Sequence, residues 1–151
     1  MSSISIRRLK AGDDVGAAAE RLVRFFREEG FDTPDETIRS NTSRMAGIEA
    51  CGLFIAEREA QAIGVATISM EFGIEFGWSG EMGDLYVLPE WRGRGVSQAL
   101  VAVVEAFLTE RGATGYQVTV TPFAEDAHGL QGYYRKLGFA SEGRLILYKK
   151  L

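Results

Sequence analysis

The part of this chain that most restricts its fold is residues 84–100, where a strand-like run, a proline, a turn and a helix start follow one another as DLYVLPEWRGRGVSQAL. Gly93 and Gly95 lack a Cβ atom, so the backbone of the turn can approach a ligand closely. The start of the helix offers unpaired N–H groups and a partial positive charge. Arg92 and Arg94 add cations that pair with phosphate oxygens. The stretch therefore predicts a strand–turn–helix that binds phosphate.

Two familiar phosphate loops do not match this turn. A dinucleotide-binding fingerprint needs a third glycine where the chain has Gln98, and a P-loop needs Gly-Lys-Ser/Thr at its end. The turn instead resembles the coenzyme A loop of the GNAT superfamily of N-acetyltransferases, Arg/Gln-x-x-Gly-x-Gly/Ala after a Val-x-Pro bend. Arg92 and Gly95 fit that pattern, and Ser97 replaces its last small residue. An ordinary helix start after a tight turn is the alternative.

A second segment, AHGLQGYYRKLGF at residues 127–139, resembles the later motif of the same superfamily. That motif is a helix that ends in Tyr-x-x-Leu-Gly-Phe. Gly138 suits the end of a helix and Lys136 suits the negative end of its dipole. The resemblance implies that Tyr134 protonates the departing thiolate of coenzyme A. Because neighbouring helical residues diverge by about 100°, only one of Tyr133 and Tyr134 can face the sulfur.

The resemblance implies an α/β fold with the order β-αα-βββ-αβ-αβ, in which helices flank a central mixed sheet. Residues 1–151 are expected to form one N-acetyltransferase domain, since their number suits a single hydrophobic core. Periodicity alone predicts only a mixed α/β chain. It places strands at 3–9, 53–57, 63–70, 81–88, 116–121 and 145–150, and helices at 15–29, 34–45, 95–111 and 130–137.

Composition excludes several classes of protein. Cys51 and His128 are each alone in the sequence, so neither a disulfide within the chain nor a metal site is expected. The net charge of −4 argues against nucleic acid and favours a cationic partner. No apolar run has the length of a membrane span and no signal pattern begins the chain, so we expect a cytoplasmic protein. The resemblance suggests a homodimer.

The resemblance also implies the cofactor site. Acetyl-CoA would be the acetyl donor, its pyrophosphate would lie over the amides of the turn, and the backbone of the preceding strand would face the pantetheine and thioester. The residues assigned to the cofactor are Leu85, Tyr86, Val87, Arg92, Gly93, Arg94, Gly95, Val96 and Ser97.

Amide formation requires a free amine to attack the thioester carbonyl. A group of the enzyme must therefore first accept a proton from the acceptor's ammonium. Glu81 and Asp84 lie on the strand before the turn, and their odd spacing predicts side chains on opposite faces of the sheet. Glu81 is then expected on the face of Leu85 and Val87, and its position matches a general base of several superfamily members. We therefore favour Glu81 as base and place Asp84 in the acceptor site. The alternative for each is a solvated or ion-paired carboxylate at a strand end.

The acceptor is predicted from charge and aromatic character. Residues 71–81, EFGIEFGWSGE, form an acidic and aromatic loop in this interpretation, and residues 31–36 are also acidic. Carboxylates attract a polycation, and aromatic rings provide cation–π surfaces, so a small cationic amine such as an aminoglycoside antibiotic or a polyamine fits. Protein or peptide acceptors and a non-catalytic acetyl-CoA sensor are the alternatives. The residues assigned to the acceptor are Asp32, Glu75, Phe76, Trp78, Asp84 and His128.

Overall fold

The computed structural model describes residues 3–151, which divide into two compact units, one ending at Val118 and one covering Thr119–Leu151. The first unit contains a five-stranded sheet in the order β1-β2-β3-β4-β5, in which β5 runs parallel to β4 and the other pairs are antiparallel. Its strands are β1 Ser5–Leu9, β2 Cys51–Arg58, β3 Gln61–Gly73, β4 Gly77–Val87 and β5 Tyr116–Val118, and its helices are α1 Gly16–Glu28, α2 Asp35–Ala46 and α3 Val96–Glu110.

Helices cover both faces of the sheet. On one face α3 packs so closely that a Cβ atom added to Gly64 would lie 3.1 Å from Leu100. On the other face α1 meets β4, where the rings of Phe25 and Tyr86 lie 5.2 Å apart. The residues buried between these layers are almost all apolar, and the sheet side of the core includes Leu53, Ile55, Ile63, Val65 and Ile68. Burial of this apolar surface is the main stabilising contribution to the unit.

The hairpin between β2 and β3 joins the predicted strands 53–57 and 63–70 and turns at Glu59 and Ala60. Glu59 and Ala60 both have positive φ, 51° and 66°. Positive φ at both central residues is the signature of the tight turn that matches the twist of two antiparallel strands. The turn fixes the register in which Ala62 pairs with Glu57.

The second unit contains two short helices, α4 Pro122–His128 and α5 Leu130–Lys136. The sequence pattern predicts α5 but not α4. Thr121 caps α4 by accepting a hydrogen bond from the Ala124 N–H at 3.1 Å, and Pro122 occupies the first helical position, where no N–H is needed. The strand predicted at 116–121 therefore ends early, at Val118.

The strand predicted at 145–150 is wrong for this structure, because residues 139–151 contain neither helix nor strand. Leu145, Leu147 and Tyr148 are all more than four-fifths exposed. An extended segment becomes a strand only when a neighbouring strand pairs with its N–H and C=O groups. The mixed α/β class and the order of the preceding elements are confirmed.

Candidate active site

The edge of β4 opens where its parallel neighbour ends. β5 pairs only with residues 80–82 of β4, whereas β4 continues to Val87. The Leu88 N–H donates to the Ile63 carbonyl of β3 at 2.9 Å, so alternate residues, Leu85 and Val87, turn their N–H and C=O groups away from β3. The first unit thus presents strand amides at an open edge immediately before the predicted phosphate turn.

The turn itself has the backbone that the sequence predicts. Gly93 and Gly95 have φ of 74° and 84°, a left-handed conformation that glycine adopts without steric cost. Gly95 is also the N-cap of α3, and within residues 3–151 no side chain caps that helix start. Since Val96 buries its side chain, only its backbone can reach a ligand. The start of α3 therefore presents backbone amides and the positive end of the helix dipole, a combination that favours an anion.

The two arginines of the turn have different surroundings. The Arg94 guanidinium lies 4.9 Å from the centre of the Trp91 ring. The Arg92 Nε donates to the Val87 carbonyl at 2.9 Å, and its Nη2 lies 3.5 Å from the Glu28 carboxylate. Arg92 therefore ties the turn to β4 and to α1 in addition to any contact with phosphate, and it occupies the carbonyl at the open edge.

Tyr86 turns its side chain away from the α3 face. Its hydroxyl donates to Glu28 Oε1 at 2.9 Å. Burial and the neighbouring Glu28 carboxylate raise the pKa of Tyr86 to about 12. The phenol is thus part of the packing between β4 and α1, and the Tyr86 N–H and C=O groups face β3, as those of Leu88 do. The structure therefore does not place Tyr86 at the open edge with Leu85 and Val87, as the cofactor assignment expected. Sequence reasoning missed Glu28, which no motif marked.

A β-bulge overturns the predicted orientation of the two acidic residues. Asp84 pairs with Thr67 and Met82 pairs with Ile68, so β4 has one extra residue, Gly83, at this point. Residues directly opposite each other in an antiparallel pair share a face. Glu81, which pairs with Ser69, therefore lies on the same face as Asp84, whereas Leu85 lies on the other. The prediction of opposite faces was wrong because the strict alternation of a strand ends at a bulge.

Glu81 is exposed, and its Oε2 accepts a hydrogen bond from the Gln117 side chain at 3.1 Å. Gln117 belongs to β5 and is the register partner of Glu81, one position before Met82 and Val118, the last pair of the two parallel strands. A carboxylate in contact with solvent at the point where the strands separate can accept a proton directly or through water.

Asp84 occupies a very different environment. Thr67, which is only 2 % exposed, donates its hydroxyl proton to Asp84 Oδ2 at 2.6 Å. Asp84 also lines a cavity of about 100 Å³ whose other walls are uncharged. Burial raises the pKa of the Asp84 carboxyl, an effect that the Thr67 hydrogen bond only partly offsets. Thr67 was not predicted as a site residue, although a polar residue inside the apolar run 63–68 was a usable signal.

The raised pKa predicts that Asp84→Asn stabilises the protein at neutral pH. The folded state binds the Asp84 proton more tightly than the unfolded state, whose carboxyl titrates near 3.8. Stability is therefore lost as the pH rises from that value through the raised folded pKa. The asparagine side chain of the variant keeps an acceptor for Thr67 and carries no charge. The free energy of unfolding, measured with urea between pH 3.5 and 7, should be higher for the variant by an amount that grows with pH. A higher free energy of unfolding for the wild type at neutral pH would contradict this prediction.

The predicted acceptor residues fall into two groups in the first unit. Residues 71–81 are mostly strand, with a short loop at 74–76 rather than a long one. Phe72 and Trp78 pack edge to face at 5.3 Å, and Phe76 and Trp78 are 47 % and 41 % exposed. Glu75 is exposed at the tip. The hairpin thus presents aromatic surface and negative charge together.

The acidic loop between α1 and α2 is organised by Arg27. Its guanidinium donates to the carbonyls of Phe31 and Thr33 and forms an ion pair with Asp35 at 2.8 Å. Asp35 is thereby neutralised in part, while Asp32 is exposed. In the acidic segment 31–36, Asp32 and Glu36 are exposed carboxylates that can face a cationic ligand.

The second unit contains Tyr134 and His128. Tyr134 lies in α5 and its ring contacts those of Tyr133 and Phe139 at 5.2 and 5.3 Å. Burial is the main cause that raises the pKa of Tyr134 to about 12, so its phenol keeps a proton at neutral pH. His128 is exposed in the last turn of α4.

Residues 3–151 contain neither a cluster of metal-ligating side chains nor a helix suited to span a membrane. No three of the His, Cys, Asp and Glu side chains in this range are grouped as a metal site requires. Likewise, none of the helices in the described part of the chain is long and apolar enough to cross a bilayer.

Comparisons with known proteins identify the family. The model of the acetyltransferase (GNAT) family matches residues 17–139, a range that extends over both units. The chain therefore belongs to the GNAT acetyltransferase family. An acetyltransferase from Yersinia pestis (strain Pestoides F) is 33 % identical over 78 residues, which are 50 % of this chain and 53 % of that protein. This chain spans about half the length of the curated relatives it matches.

Solved structures share the fold at lower identity. Aminoglycoside N-acetyltransferase AAC(6')-Iy in complex with CoA superposes with a TM-score of 0.79 at 23 % identity, over 99 % of this chain and 96 % of that one. Ribosomal-protein-alanine N-acetyltransferase from Brucella melitensis biovar Abortus 2308 gives a TM-score of 0.76 at 17 % identity, over 98 % and 100 % of the two chains. These likenesses establish the fold and leave the acceptor open.

Proposed function

We propose that this protein transfers the acetyl group of acetyl-CoA to a primary amine of a small cationic acceptor. The observation that carries the proposal is the combination of an open β4 edge with the uncapped start of α3 in the first unit. The pyrophosphate would bind the amides of Gly93, Gly95, Val96 and Ser97, with Arg94 as a charge partner. The pantetheine amides would then pair with the N–H and C=O of Leu85 and with the Val87 N–H, as an added strand would.

The chemistry of the transfer assigns the remaining roles. Glu81 takes a proton from the acceptor ammonium, directly or through water, and frees the nitrogen lone pair. The nitrogen attacks the thioester carbonyl, whose oxygen is polarised by strand N–H groups near Val87. The carbon–sulfur bond breaks, and Tyr134 donates its proton to the thiolate. The nitrogen loses its second proton as the amide forms, and that proton returns through water to the Tyr134 oxygen. The products are an N-acetylated amine and free coenzyme A, without a covalent enzyme intermediate.

A small polycation is the acceptor class that the charges favour. Asp32 and Glu75 are exposed carboxylates, and Phe76 and Trp78 add the aromatic surface that cations bind. An aminoglycoside or a polyamine has several ammonium groups to use this surface. The aminoglycoside acetyltransferase among the fold neighbours supports small amines, and the ribosomal-protein-alanine acetyltransferase keeps a protein N-terminus as the second candidate.

Salt dependence tests the acceptor class. Attraction between exposed charges is screened over about 8 Å at physiological ionic strength, so the acceptor KM should rise as salt is added. Glu75→Gln should raise the acceptor KM and flatten this dependence while changing kcat little. Glu110→Gln, an exposed substitution at the end of α3, is the matched control. A preference for neutral amines, or an acceptor KM independent of salt, would favour the peptide acceptor instead.

A further inference from the structure

The face of the sheet that holds Glu81 and Asp84 also holds a cavity beneath α1 and α2. Leu53, Thr67 and Asp84 are consecutive partners on β2, β3 and β4, so they form one row across the sheet floor. The lining side chains of the cavity are Leu22, Phe26, Thr33, Ile38, Asn41, Thr42, Met45, Leu53, Thr67 and Asp84. Asp84 is thus the sole charged group in an otherwise neutral lining.

This arrangement is costly without a ligand. A carboxylate removed from water is destabilised unless a cation or several donors compensate it. Thr67 supplies one hydrogen bond, and within residues 3–151 Asp84 forms no ion pair. An uncharged side chain at this half-buried position would make the fold more stable than the carboxylate does. The carboxylate is therefore a candidate for binding a cation.

We propose that the cavity is a subsite for a second, unreacting ammonium group of the acceptor, held by Asp84. The inference rests on the proposed function and specifies its substrate class as an acyclic diamine or polyamine. An engineered cavity of about 150 Å³ binds benzene, so a cavity of about 100 Å³ accepts a slender alkyl ammonium but no sugar ring. The apolar walls fit the methylene groups, and the ammonium donates to the carboxylate.

The position of the subsite explains why its ammonium does not react. The cavity extends from β4 over β3 and β2, whereas the open edge of β4 lies on the side of β5. Neighbouring strands lie about 4.8 Å apart, so a short spacer can join an amine at the edge to an ammonium over the sheet. The Asp84 subsite would then fix which amine the thioester meets.

The test compares α,ω-diaminoalkanes of increasing spacer length with the monoamines of equal length. Wild type should prefer the diamine in kcat/KM, with an optimum spacer. Asp84→Asn should lower this preference by about 10-fold to 100-fold, the range expected for loss of a charge-assisted hydrogen bond. Asp14→Asn is the matched control. Asp14 is an exposed carboxylate that also accepts one hydrogen bond, from the Gly16 N–H at 2.9 Å, and its replacement should leave the diamine preference intact.

Steric closure provides an independent variant. Asn41 is an exposed residue of the lining, so Asn41→Phe should cover the cavity without overpacking the core and should reduce the diamine preference in the same way. An unchanged diamine preference in both variants would overturn the subsite. So would efficient acetylation of an aminoglycoside with a kcat/KM that Asp84→Asn does not change. Either result would leave the proposed acetyl transfer intact. If no amine is acetylated, calorimetric titration of the diamine still decides: equal Kd for wild type and Asp84→Asn refutes the subsite.

Discussion

Tyr134→Phe is expected to lower kcat about 10²-fold or more while the Kd for acetyl-CoA stays unchanged, because the substitution keeps the ring and removes the proton donor. The raised pKa of Tyr134, about 12, keeps the phenol protonated at neutral pH, which a donor to the thiolate requires. Steady-state release of free thiol gives kcat, and calorimetry gives the Kd.

Tyr133→Phe is the matched control for this prediction. Tyr133 is adjacent in α5, and its ring packs against that of Tyr134. Removal of its hydroxyl should change kcat little, since adjacent helical side chains point about 100° apart. Equal losses in both variants would indicate a structural effect on α5, and no loss in Tyr134→Phe would remove this tyrosine from the chemistry.

Gly95→Val should weaken acetyl-CoA binding strongly. Gly95 has φ of 84°, a left-handed conformation that costs roughly 1–2 kcal/mol for a residue with a Cβ atom. The valine would also place a branched side chain where the pyrophosphate must approach the helix start. We expect the Kd for acetyl-CoA, measured by calorimetry, to rise by at least about 10-fold.

Gly112→Val separates this effect from strain in general. Gly112 follows the opposite end of α3, with φ of 78°, and like Gly95 it has nothing within 4 Å of an added Cβ atom. Both variants therefore carry a similar conformational cost at the two ends of one helix. An equal rise of the Kd for acetyl-CoA in both variants, or an unchanged Kd in Gly95→Val, would show that the turn does not bind the cofactor.

The backbone of the strand–turn–helix at 84–100 was predictable because its determinants are local. Glycines that adopt positive φ, a proline after the strand and an apolar helix pattern are all visible over residues 84–100. In the structure Gly93 and Gly95 are left-handed, and the helix starts at Val96, one residue after the predicted start at 95. The two catalytic assignments, Glu81 and Tyr134, remain predictions.

The orientation of Glu81 and Asp84 was not predictable from alternation alone. The extra residue Gly83 lies opposite the step from Thr67 to Ile68 on β3. A bulge depends on the partner strand, and the sequence of β4 shows only a glycine that would also suit a regular strand. The resulting shift moves Asp84 to the face of Glu81 and into the cavity, and the acceptor subsite depends on it.

The second unit was predicted less well than the first. Its short helix α4 depends on the Thr121 cap and on Pro122, which the strand pattern at 116–121 obscured. The apolar residues at 145–148 predict a strand, but a strand also needs a paired neighbour, which a single segment cannot specify.

The most direct measurement is the stoichiometry of acetyl transfer across a panel of polyamines, aminoglycosides and peptides. Each amine is incubated with acetyl-CoA and the protein, free thiol is titrated, and the mass of the acceptor is determined. We predict one N-acetyl group on the amine for each thiol released, with small cationic amines as the best acceptors and little release without amine. Binding of acetyl-CoA with no thiol release on any amine would contradict acetyl transfer and identify a sensor.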